Sequence, residues 1–173
     1  MFRRAIVAAA LALPLPALAQ DALTEALQAI DAGNHAAGAQ QLLPLAQGGN
    51  AAAQFRLGML HYVGKGVVES EREALGWLKK SAAQGNLDAM YQLGNLFTFG
   101  NEAAKLTTDP DQEAAQWYFR AASAGHTDAQ YSLGLLFLAG KGVQKDEREA
   151  MNWMQQAAKG GHLDARSYVG STK

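Results

Sequence analysis

No cysteine occurs anywhere in the 173 residues. That absence removes disulfides, thiolate catalysis and cysteine-ligated zinc together, so stability has to come from packing alone. Proline is sparse as well, with four residues, two of which (Pro14 and Pro16) fall in the first stretch of the chain. Beyond that stretch no apolar run approaches the roughly 20 residues that a membrane-spanning helix needs. A basic excess is also missing, since 15 lysines and arginines stand against 16 acidic residues. Nucleic-acid binding needs concentrated positive charge, so it is not expected here.

What is present begins with an export signal over residues 1–19. Arg3 and Arg4 supply the positive start, Ala5 to Pro16 the apolar stretch, and Ala17-Leu18-Ala19 the small-x-small cleavage pattern. The apolar stretch is short and broken by proline, which favours a cleaved signal over an uncleaved anchor. A chain starting at Gln20 has no cysteine to accept a lipid and carries 13 basic and 16 acidic residues, a formal charge of −3. It is expected in the bacterial periplasm or outside the cell, without stable membrane insertion.

The rest of the chain keeps a beat. Leu57-Gly58, Leu93-Gly94, Leu133-Gly134 and the variant Val169-Gly170 follow one another at intervals of 36, 40 and 36 residues. Trp77, Trp117 and Trp153 repeat at 40 and 36, and each is followed by an alanine pair: Ala82-Ala83, Ala121-Ala122 and Ala157-Ala158. A Gly-Lys-Gly-Val loop occurs at residues 64–67 and again at 140–143, and glycine turns fall at Gly85-Asn86, Gly125-His126 and Gly161-His162. A unit of this length buries its apolar face by stacking on its neighbours, and stacked arrays present surfaces rather than enclosed reaction sites.

Each unit divides into two helices, A and B. In the second unit Leu87, Met90, Tyr91, Leu93, Leu96 and Phe97 recur at helical spacing, which predicts helix A over Leu87 to Phe99. Thr108 and Asp109 are candidate N-caps ahead of Pro110, and Ala114, Ala115, Trp117, Tyr118, Ala121 and Ala122 read as the buried stripe of helix B. Acidic residues at B-helix starts, such as Glu71 and Glu147, complement the helix dipole and need no catalytic explanation. A glycine inside a helix costs about 1 kcal/mol relative to alanine, so its recurrence requires an offset. Close approach of helix B to the backbone of helix A at Gly58, Gly94 and Gly134 supplies one. The expected organisation is a degenerate N-terminal helical pair over 20–48, three units over 49–84, 85–124 and 125–160, and a partial unit over 161–173.

These features together, and most fully the stretch from Asp128-Ala129-Gln130-Tyr131-Ser132-Leu133-Gly134 through Gly140-Lys141-Gly142-Val143 to Trp153, Ala157-Ala158 and Gly161, closely resemble the Sel1-like repeat family, relatives of tetratricopeptide repeats. The resemblance covers about residues 49–170 and implies an all-α, right-handed α-solenoid of stacked antiparallel helix pairs. It further implies a non-enzymatic scaffold or adaptor for a protein or peptide partner in the cell envelope. The alternative it carries is a cell-wall or β-lactam-related enzyme or binder, as suggested for a cysteine-rich branch of the family. This chain departs from that branch in having no cysteine, and it contains neither Ser-x-x-Lys nor Lys-Thr-Gly.

No catalytic residue, cofactor or metal is expected. His126 and His162 share a repeat position, but two copies one unit apart need not converge on a metal. Gly-Lys-Gly-Val lacks the spacing of a phosphate loop, and Asp109-Pro110-Asp111 lacks the alternating ligands of a calcium loop. The variable A-helix positions after each Leu-Gly face the concave side in tetratricopeptide-like units. Met59 and Tyr62, Asn95 and Thr98, and Leu135 and Leu138 are therefore the candidate partner-binding residues, an apolar and aromatic strip with a polar centre. Inter-repeat core is the competing role for each of them. A second candidate is the loop from Gly100 to Asp109, four residues longer than its counterparts, as a recognition loop or a tolerated insertion.

Overall fold

A computed structural model describes residues 15–172 of the chain. Among them the helices are α1 (Leu15–Asp31), α2 (His35–Gln47), α3 (Ala51–Val63), α4 (Glu71–Ala82), α5 (Leu87–Phe99), α6 (Asn101–Ala104), α7 (Pro110–Ser123), α8 (Thr127–Ala139), α9 (Glu147–Gly160) and α10 (Leu163–Ser171). The pairs α1–α2, α3–α4, α5–α7 and α8–α9 are antiparallel, each stacks on the next, and α10 is an A helix. The result is a right-handed α-solenoid. Most of the export signal read over residues 1–19 lies outside the described residues. No helix among the described residues is long and apolar enough to cross a membrane.

Caps set the beat of the helix starts. Asn50, Asn86, His126 and His162 each accept the backbone N–H three residues on with a side-chain atom, which starts α3, α5, α8 and α10. Ser70, Asp109 and Asp146 do the same for α4, α7 and α9, with Pro110 in the first turn of α7. Polar side chains, buried at Gln54 and Gln130 and exposed at Arg166, then tie one unit to the next. Gln54, Gln130 and the Arg166 guanidinium donate to the carbonyls of Ala46, Ala122 and Ala158 at the end of the preceding B helix.

The internal glycines sit where helix B crosses helix A. A Cβ at Gly58 would lie 3.0 Å from Leu78 Cγ and 3.3 Å from the Ala74 carbonyl oxygen. At Gly134 it would lie 3.1 Å from Met154 and 3.2 Å from the Ala150 oxygen, and at Gly94 only 2.5 Å from the Tyr118 ring. Gly170, on α10, has nothing among the described residues within 4 Å of that position. The N-terminal pair lacks Leu-Gly but reaches the same contact from the other helix: a Cβ at Gly38 in α2 would press on Ile30 and the Ala26 carbonyl.

Two expectations need correction. The B-helix tryptophans are not part of the buried stripe: Trp77, Trp117 and Trp153 are half-buried, whereas the next residue in each case, Leu78, Tyr118 or Met154, is buried against the glycine. The indoles lie at the edge of the core, where Lys80 and Arg120 cover Trp77 and Trp117 at 4.2 and 4.7 Å from the ring centroids. Nor is Gly100 to Asp109 wholly loop. The Glu71 carboxylate, from the preceding unit, accepts the N–H groups of Asn101, Glu102 and Ala103 at 3.1, 2.7 and 3.2 Å, which organises the helical turn α6. Ala103 is fully buried beneath it. The insertion is seated on the first turn of α4 much as Gly66 is seated on His35 and Ala36, and Gly142 on Asp111 and Gln112.

Candidate groove on the A-helix face

The A helices α5 and α8 together line a cavity of about 700 Å³. Its walls include Phe99, Tyr131, Leu135 and Leu138, and its floor is Asn95, Thr98 and Tyr118. Phe99 is 75% exposed and Leu135 42% exposed, so apolar surface faces outward at the mouth. The structure thus brings Asn95, Thr98, Leu135 and Leu138 into one site. Met59 and Tyr62 lie one unit earlier, half-buried against the core, and do not line this cavity.

The polar floor is an ordered network. The Tyr118 hydroxyl donates to Asn95 Oδ1 at 2.7 Å, the Thr98 hydroxyl donates to the Gly94 carbonyl at 2.8 Å, and Asn95 Nδ2 donates to Gln92 Oε1 at 3.1 Å. Burial pushes the Tyr118 phenol up to about 12, against a smaller lowering by the Thr98 contact. The phenol is therefore a neutral donor at every physiological pH.

The side of the groove nearest the helix starts is held by histidine. His162 Nδ1 accepts the Ala165 N–H at 3.3 Å, its ring stacks on Tyr131 at 4.1 Å, and its Nε2 faces Asp128 at 3.8 Å. His126 repeats the arrangement on Ala129, Tyr91 and Asp88. Both imidazoles are therefore occupied as caps and as stacking partners of the preceding unit. At the opposite end Lys141, from the second Gly-Lys-Gly-Val loop, borders the cavity.

Reading the sequence by unit did not place Tyr118, Tyr131, Phe99 or Lys141 in the site. The signal for Tyr118 was available, because tyrosine stands where the other units have Leu78 and Met154. The others depend on which helices become neighbours across the array.

A Sel1 repeat family model matches residues 51–86, 87–126 and 127–162. Among solved structures the chain is similar to a Sel1 repeat protein from Oxalobacter formigenes, with 30% identity over 86% of this chain and a TM-score of 0.78; it spans 59% of that protein's length. It also shares its fold with cysteine rich protein B of Helicobacter pylori, with 20% identity, a TM-score of 0.55 and coverage of 90% and 97% of the two chains. No curated protein matches the chain at a significant level.

Proposed function

The chain belongs to the Sel1 repeat family, and from that premise we propose that it is a non-enzymatic protein-interaction scaffold of the bacterial cell envelope, binding a protein or peptide on the concave A-helix face. The observation that carries this reading is the groove between α5 and α8. Its volume of about 700 Å³ falls in the range of ligand sites, and its lining is mostly apolar with a few convergent polar groups. Asn95, Thr98 and Tyr118 occupy positions that vary between units, while the glycines, alanines and caps around them recur. The apolar and aromatic mouth suits side chains of a protein partner.

A scaffold role also accounts for the polar groups present. Tyr118, Thr98 and Asn95 bond to one another or to neighbouring main chain and side chains, and His162 is engaged as a cap. Placement in the envelope rests on the signal pattern of residues 1–19 and is tested by fractionation of cells.

The test is photo-crosslinking in cells from Tyr62, Thr98 and Leu138, followed by identification of the captured protein and its rebinding to the purified chain. Capture of one discrete partner from Thr98 and Leu138 that rebinds in vitro is expected. Non-specific capture from these positions, with one discrete partner captured from the Gly100 to Asp109 segment, would show the groove assignment to be wrong.

A further inference from the structure

Three B-helix side chains fill the slot opposite the repeat glycine, namely Leu78, Tyr118 and Met154. Only Tyr118 carries a polar end, and that end crosses to the A-helix face. The ring passes so close to Gly94 that a Cβ there would sit 2.5 Å from two of its carbons. The missing side chain at residue 94 is thus what lets a core residue of helix B deliver a hydroxyl to the floor of the groove. There it engages the Asn95 carbonyl oxygen at 2.7 Å. An amide nitrogen has two protons, and one Asn95 N–H is already given to Gln92. The second has no partner among the described residues, and Asn95 lines the cavity.

Two further features limit what can accept that proton. Phe99, Tyr131, Leu135 and Leu138 surround it with apolar surface. Charge at the rim is divided between its two ends: Asp128 faces His162 at 3.8 Å at one end, and at the other Lys141 makes no ion pair with any carboxylate among the described residues, so the Lys141 end is where a carboxylate is favoured. We propose that the groove takes a peptide segment in which an aliphatic or aromatic side chain is flanked by an acidic residue. A main-chain carbonyl of the segment accepts the free Asn95 N–H, the apolar side chain lies between α5 and α8, and the carboxylate meets Lys141. Tyr118 is a positioning residue for Asn95. This deepens, and rests on, the scaffold reading given above.

The experiment is an NMR titration of the purified protein with the capped dipeptide acetyl-Leu-Asp-amide, with acetyl-Leu-Asn-amide and acetyl-Ser-Asp-amide as controls. Saturable shifts of the Asn95 side-chain NH₂ and the Leu135 and Leu138 methyls are expected in the millimolar range. Each control should bind at least threefold more weakly. Asn95→Ala and Tyr118→Phe should each weaken acetyl-Leu-Asp-amide by roughly three- to tenfold, the range of one hydrogen bond. Lys141→Met should erase the difference between the Asp and Asn probes and leave folding unchanged. Equal binding of all three probes, shifts centred away from Asn95, or affinity within twofold of wild type in both Asn95→Ala and Tyr118→Phe would overturn the proposal. Such a failure alongside a partner captured from Leu138 would leave the scaffold reading standing, whereas failure of capture would remove that reading itself.

Discussion

Replacing each repeat glycine by alanine separates helix propensity from close approach. In an exposed helix the change stabilises by about 1 kcal/mol, because glycine carries the larger backbone entropy cost. Gly170 shows nothing among the described residues within 4 Å of the new methyl and lies near a helix end, so Gly170→Ala should gain about 0.5 kcal/mol. At Gly58 the methyl meets Leu78 at 3.0 Å and the Ala74 carbonyl oxygen at 3.3 Å, and at Gly134 it meets Met154 at 3.1 Å and the Ala150 oxygen at 3.2 Å; side chain and helix B backbone must give by a few tenths of an ångström, which should roughly cancel the propensity gain. At Gly94 it meets the Tyr118 ring at 2.5 Å, more than 1 Å inside carbon–carbon contact distance. The ring has to shift, which costs about 2 kcal/mol of overpacking. The shift also breaks the bond to Asn95, worth about 1 kcal/mol. After the propensity gain, Gly94→Ala should lose about 2 kcal/mol, or about 4–8 °C in Tm for a chain of this length. Urea and thermal unfolding of the four variants give the ranking directly. A Gly94→Ala protein as stable as wild type, or a Gly170→Ala protein less stable than Gly58→Ala, would refute the close-approach argument.

Other expectations follow from the same geometry. Trp117→Ala should cost about 2 kcal/mol, roughly half of what a fully buried tryptophan costs, as read by urea unfolding. Tyr118 has its pKa raised by burial to about 12 from 10.0, so the folded state holds its proton longer than the unfolded state. Its contribution to stability is complete below pH 10 and is lost as pH rises from 10 to about 12; Tyr118→Phe should remove that step from the unfolding profile. Burial raises the Glu71 carboxyl, but the three backbone N–H groups of α6 and Lys105 lower it further, to a net value below 4.5. Acidification through that lowered value should release α6, with the Glu102 amide resonance titrating below pH 4.5, and Glu71→Ala should release it at neutral pH. His162→Asn should retain most of the stability that His162→Ala loses, about 1 kcal/mol, because Asn50 and Asn86 perform the same cap by side-chain oxygen.

Much of the fold is legible in the sequence because the unit is short and repeated. The Leu-Gly beat marks where helices A and B touch, the run of apolar residues from Leu87 predicts α5 at Leu87–Phe99, and Asp109-Pro110 marks the start of α7. The reading fails where two units have to be considered at once. Trp117 looks like the anchor of the B-helix stripe by size, yet Tyr118 faces the glycine, since one residue turns a helix by about 100° and the two cannot share a direction. The turn α6 is formed by a carboxylate 30 residues earlier in the chain. Gly38 replaces the usual glycine from the opposite helix, which no search for Leu-Gly can find. The groove follows the same pattern: Asn95, Thr98, Leu135 and Leu138 were visible as variable A-helix positions. Their convergence with Tyr118 and Lys141 depends on the stacking of units, which also separates them from Met59 and Tyr62.

Whether partners bind the A-helix face is decided most directly by two apolar residues of comparable exposure on different faces. Leu135 lines the groove and is 42% exposed, while Phe119 lies on helix B and is 53% exposed. Affinity for the partner captured by crosslinking should be measured by calorimetry for Leu135→Asp and Phe119→Asp. At least a tenfold loss is predicted for Leu135→Asp, a difference of about 1.4 kcal/mol or more, with Phe119→Asp within twofold of wild type. The reverse ordering would contradict the account.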